Sequence, residues 1–152
     1  MHICHEALQI PGAVVEQWEI PSDEALVTPL VVRVVERLTA DGLIGPEARM
    51  RTELCLDEAI TNSVKHGNRR EFAKRVVVSL FREPGSWGLV IQDEGTGFSL
   101  RDLKDRTQGD ELWAENGRGI PLLTLYMDEV GYYGGGNTLL LRQHLADTAD
   151  LA

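Results

Sequence analysis

Four short runs in this chain carry residue types that do chemistry. The first is Glu58-Ala59-Ile60-Thr61-Asn62, followed by His66-Gly67. Residues four apart on a helix share a face, so Glu58, Asn62 and His66 should form one stripe. A carboxylate there can accept a proton from water or a hydroxyl, and an amide oxygen can ligate a hard cation such as Mg²⁺. The second run is Asp93-Glu94-Gly95-Thr96-Gly97. A carboxylate at a strand end can accept the exocyclic amine of a purine, and glycines let backbone approach the ring closely. The third is Gly117-Arg118-Gly119, just before Pro121. Glycines leading into a helix N-terminus make a phosphate site, because free N–H groups and the helix dipole face the anion. The fourth is Gly136-Asn137-Thr138, which a hairpin turn explains by itself. Each of the first two also has a plain reading, a solvated helix face or a glycine turn. Neither glycine cluster has the spacing of a P-loop or of a dinucleotide fingerprint, so both of those chemistries are excluded.

The elements that must position these runs follow from periodicity and breakers. Ala13 to Ile20 reads as a strand broken at Pro21-Ser22. A helix then carries Leu30, Val31, Val34, Val35 and Leu38 at helical spacing and ends at Gly42. Its start has two readings, a Ser22 cap with Pro29 kinking the helix, or a Thr28 cap with Pro29 first in the helix; the second is preferred. A second helix opens at Gly45-Pro46 and runs to about His66, with Gly67-Asn68 as its stop and Leu56, Ala59, Ile60 and Val64 as its apolar row. Val76 to Phe81 and Trp87 to Gln92 read as a hairpin about Glu83-Pro84-Gly85-Ser86. After a polar, glycine-rich stretch come a helix from Ile120 to about Met127 and a closing hairpin, Glu129 to Tyr133 with Thr138 to His144. Helices grouped on one face of a mostly antiparallel mixed sheet make a two-layer α/β sandwich.

Composition narrows the function. With 152 residues the chain fits one domain. A net charge of −9 disfavours general nucleic-acid binding, yet a local site with a divalent cation can still hold one nucleotide. No signal peptide or membrane-spanning run is visible. Two cysteines, Cys4 and Cys55, suit a reducing cytoplasm. His2, Cys4 and His5 lie in what reads as a mobile tail rather than a metal site. Cys55 reads as a buried thiol without an activating histidine. Lys65, Arg69, Arg70, Lys74 and Arg75 form a basic cluster, best read as a solvated loop. Trp18 and Trp87 read as packing, and Trp113 as a cover for nucleotide or partner.

Taken in order, the four runs resemble the N box, the two glycine boxes and the final Gly-Thr element of the GHKL (Bergerat-fold) ATPases. The phrase Glu-Ala-Ile-Thr-Asn-Ser-Val-Lys-His-Gly from Glu58 to Gly67 is similar to the bacterial anti-sigma-factor serine/threonine kinases. The resemblance covers residues 13–145, leaving 1–12 and 146–152 as tails. It implies a domain that binds ATP with Mg²⁺. Asn62 would hold the metal and Glu58 would act as general base. Asp93 would read adenine, with His66, Gly67, Gly95, Gly97, Asn137 and Thr138 around the nucleotide. Gly117, Arg118 and Gly119 would lie against the phosphates, and 98–116 would be a mobile lid. It further implies a cytoplasmic protein whose partners are a sigma factor and a small anti-sigma-factor antagonist, the phosphorylation substrate, with a homodimer as the expected assembly. One departure bears on phosphoryl transfer: an Arg often stands shortly before the second glycine box in the kinases, where this chain has Glu115 and Asn116. A non-catalytic ATP-binding module for partner exchange is therefore the alternative. No dimerisation helices with a phospho-accepting His precede residue 13, which disfavours a histidine-kinase fragment.

Overall fold

The computed structural model describes residues 2–97 and 122–145. Its elements are β1 (His2–Ile3), β2 (Ala13–Pro21), α1 (Val27–Ala40), α2 (Arg49–Asn62), β3 (Arg75–Glu83), β4 (Ser86–Gln92), β5 (Glu129–Tyr133) and β6 (Thr138–His144). A short helical turn occupies 122–126. The strands form one sheet in the order β1-β5-β6-β4-β3-β2. Only β1–β5 is parallel; the other neighbours are antiparallel. None of the helices among the described residues is long and apolar enough to cross a membrane.

Alternation along the strands explains the two layers. Val76, Val78, Leu80, Leu89, Ile91, Leu139 and Leu141 point to the helix side and are buried there against α1 and α2. From α1 come Leu30, Val31, Val34, Val35 and Leu38, and from α2 Cys55, Leu56, Ala59 and Ile60. Burial pushes the Cys55 thiol up to about 11, so it is an inert core group. Trp87 is likewise buried, and Trp18 packs on the same core. The two-layer sandwich read from the sequence is therefore the fold.

The start of α1 differs from the reading above. Neither Thr28 nor Ser22 caps it. A 3₁₀ turn, Glu24–Leu26, precedes it, and the Asp23 carboxylate caps that turn by accepting from the Ala25 N–H at 3.0 Å. Pro29 thus lies in the first turn of the α-helix without opening it. Ser22 is engaged elsewhere, donating to the Lys74 carbonyl at 2.6 Å.

The segment read as an N-terminal tail also contributes structure. His2 and Ile3 pair with Gly131 and Tyr132 at one sheet edge, while β2 lies at the opposite edge. The connection must cross the face away from the helices. The Glu6 carbonyl accepts from Gly134 N–H at 2.8 Å, Leu8 packs on Phe81, Val90 and Leu140, and Gly12 lies directly against the Arg82 carbonyl. Residues 4–12 form a strap over the outer face. Beside it Arg142 joins three strands through Glu83 and Glu129.

Candidate functional site

The C-terminal end of α2 meets the C-terminal end of β4. Glu58 and Asn62 stand on regular α-helix, both half-buried. Beyond Asn62 the backbone widens into a π turn, Ser63–Gly67, closed by Asn68 N–H donating to the Ser63 carbonyl at 2.8 Å. A turn closed five residues back takes an extra residue, and His66 lies on this wider turn beyond the regular helix that carries Glu58 and Asn62.

What the π turn does is bring Gly67 onto Asp93. A Cβ on Gly67 would lie 2.2 Å from Asp93 Oδ2, and one on Gly95 would lie 2.1 Å from the Gly67 carbonyl oxygen. Gly97, at φ +81°, has the same relation to Gly135, where a Cβ would come within 2.0 Å of the carbonyl oxygen. Only glycine leaves room for these approaches. The β5–β6 turn completes the arrangement. Asp93 N–H donates to the Asn137 carbonyl at 2.9 Å, and Asn137 Nδ2 donates to the Gly95 carbonyl at 3.3 Å. Thr138, buried at the start of β6, donates through Oγ1 to Asn137 Oδ1 at 3.0 Å. The first, second and fourth runs of the sequence thus converge on one place. Gly117, Arg118, Gly119 and the stretch 98–116 lie outside the described residues.

Asp93 is the electrostatic centre. It is 7% exposed, and burial pushes its carboxyl up to about 6 from an ordinary 3.8. The Gly95 N–H, at 2.8 Å, the Ser63 hydroxyl and the charge of Lys74 pull the other way. A carboxylate with this poise has lone pairs left for a further donor in the cleft. Ser63 was not read as a site residue. Its only sequence signal is a hydroxyl directly after Asn62, which matters because the π turn aims it at β4.

The basic cluster is largely paired. Arg70 meets Glu24, Lys74 meets Glu71 at 3.3 Å, and Arg75 meets Glu19 at 3.4 Å. That agrees with a solvated loop.

Residues 20–143 match the histidine kinase-like ATPase domain family, a span that includes every element from the end of β2 to the end of β6. The chain belongs to that family. Among characterised relatives of this ATPase-domain protein, the anti-sigma F factor of Geobacillus thermodenitrificans is 30% identical over 102 residues, covering 63% of this chain and 69% of the relative. The anti-sigma F factor of Geobacillus kaustophilus is 30% identical over 104 residues. The serine-protein kinase RsbW of Listeria monocytogenes is 28% identical over 106 residues, covering 65% and 68% of the two chains.

Proposed function

We propose that this chain is an ATP-dependent serine/threonine protein kinase that acts in the cytoplasm as an anti-sigma factor, phosphorylating a small antagonist and sequestering a sigma factor when the antagonist is phosphorylated. The observation that carries this reading is the Asp93 carboxylate, held at the strand end by Gly67, Gly95 and Ser63 in a histidine kinase-like ATPase domain. Relatives named as anti-sigma factors and as a serine-protein kinase support the partner class.

The donor set fits Mg·ATP. Asp93 accepts the adenine amine, and Gly67, Gly95 and Gly97 let the backbone segments around it pack closely. The Asn62 side-chain oxygen is a hard ligand suited to Mg²⁺. That ion, when bound, would supply charge neutralisation on the phosphates. Glu58, one helical turn before Asn62, takes the proton of the substrate hydroxyl, and Gly117 to Gly119 hold the phosphates. Catalysis of this kind is mostly positioning with electrostatic stabilisation.

The second reading, a non-catalytic module in which ATP orders a surface for partner exchange, is favoured by Glu115 and Asn116 standing where a cation would serve transfer. One experiment separates them. The protein is incubated with radiolabelled Mg·ATP and its antagonist. Label on an antagonist serine or threonine supports the kinase. ATP-dependent partner exchange without label supports the module. Calorimetry with no Mg²⁺-dependent nucleotide binding overturns both.

A further inference from the structure

Asn68 has no part in the readings above beyond ending a helix, yet it is wholly buried and every polar atom of its amide is engaged. Its Oδ1 accepts from the Glu94 N–H at 2.7 Å. Its Nδ2 donates to the Arg75 carbonyl at 2.9 Å and to Ser22 Oγ at 2.8 Å. Glu94 answers through its own carboxylate, Oε2 accepting from the Arg75 N–H. Asn68, Glu94 and Arg75 therefore close a ring of three hydrogen bonds. Asn68 also reaches the other side of Asp93, because its backbone N–H bonds Ser63, whose hydroxyl meets the Asp93 carboxylate.

We propose that Asn68, assisted by the Glu94 side chain, is the positioning residue that aims the Asp93–Gly97 loop at the base and so sets its preference for adenine over guanine. The inference rests on the nucleotide reading of that loop. Its physical basis is directional. A buried amide with both donors and its oxygen satisfied holds three backbone segments at fixed angles, whereas an apolar side chain of equal size fills the space without orienting anything. Asp93 separates an adenine amine from a guanine carbonyl only if its oxygens point correctly, since a misaimed carboxylate loses the donor it should meet.

The test compares the parent with Asn68→Ala, Glu94→Ala and Glu94→Gln. Dissociation constants for Mg·ATP and Mg·GTP are measured by calorimetry. The Asp93 carboxyl is titrated by NMR without nucleotide, and thermal melting reports folding. In Asn68→Ala, ATP affinity should fall about tenfold and the ATP-over-GTP ratio should fall with it, the size expected for losing one well-placed hydrogen bond. The Asp93 midpoint should drop from about 6 toward the ordinary carboxylate range as the loop opens to water. Glu94→Ala should lower the ratio about threefold, and Glu94→Gln, which keeps the acceptor, should regain most of that. An Asn68→Ala protein that melts cooperatively with the parental ratio and the parental Asp93 midpoint overturns the proposal. Should Asn68→Ala fail to fold, the same two readouts on Glu94→Ala, an exposed position, decide it. A parent that binds neither nucleotide overturns the ATP reading and the base preference with it, and the Asp93 midpoint then judges only whether Asn68 orients the loop.

Discussion

Asp93 holds a carboxylate in a place that disfavours its charge, and the consequences are measurable. Its folded pKa of about 6 lies above the ordinary 3.8. Between those values the folded chain keeps a proton that the unfolded chain has lost. Stability therefore falls as pH rises through that window, by on the order of 3 kcal/mol in full. Asp93→Asn removes the penalty. It should melt above the parent at pH 7.5, and the gap should close as pH drops toward 4, as read by thermal scans across pH. The same substitution should weaken ATP binding roughly ten- to a hundredfold, because a part-donor replaces an acceptor opposite the adenine amine. In the parent, ATP affinity should fall about tenfold per pH unit below 6, since the amine needs the ionised carboxylate. Calorimetry at stepped pH checks this, and a flat profile removes Asp93 from base recognition. Glu58 separates kinase from module. Glu58→Ala should bind Mg·ATP nearly as the parent does and transfer phosphate ~10²–10⁴-fold more slowly. Full transfer by that variant would discard the assigned base.

At the scale of elements, the contact between the π turn and the loop after β4 is the most intolerant spot. A Cβ on Gly95 meets the Gly67 backbone carbonyl at 2.1 Å, and backbone cannot swing aside as a long side chain can. Gly95→Ala should lose about 3 kcal/mol in chemical denaturation and lose nucleotide binding as well. Gly42, at φ +69° with open space around it, should suffer only the backbone strain. These elements were unequally legible in the sequence. The spans of β5 and β6, the apolar rows of α1 and α2 and the β3–β4 hairpin follow from local periodicity and breakers. The first, second and fourth chemical runs were placed correctly on helix, strand end and turn. Features set by distant contacts escaped, the strap of residues 4–12 and the Ser63–Asp93 contact among them. The π turn depends on Gly67 being drawn against Asp93, a contact twenty-six positions away that no local pattern encodes. Asp23 caps the entry, not the preferred Thr28 or Ser22, because α1 already begins at Val27 and the Ser22 hydroxyl is taken by Lys74 and Asn68. Asn68 read as a helix stop because its partners come from β3 and the loop after β4.

Among the described residues the sheet is covered twice, by helices on one side and by the strap of residues 4–12 on the other. Phe81, Val90 and Leu140 are buried under that strap. Leu8→Asp puts a charge on this patch and should loosen the strap. The expected outcome is increased binding of a hydrophobic dye and a tendency to associate, with little change in the core transition. Dye binding equal to the parent's would mean the strap holds without Leu8. The strap also leads to the site: it bonds Gly134 and Gly135, and that turn carries Asn137 beside Asp93.

The pairing of His2 with Gly131 has a consequence for how the protein is made. On the ribosome, His2 emerges long before Gly131 exists, and the strap cannot complete its edge pairing until β5 and β6 have followed β4 into the open. The outer face of the nascent sheet stays incompletely covered through that interval, and the loop closed by the His2–Gly131 contact is nearly as long as the chain, which slows its formation. Strap docking therefore waits on β5 and β6, and chaperone capture of stalled chains should be strongest for lengths that include Phe81 and Val90 but stop short of Gly131.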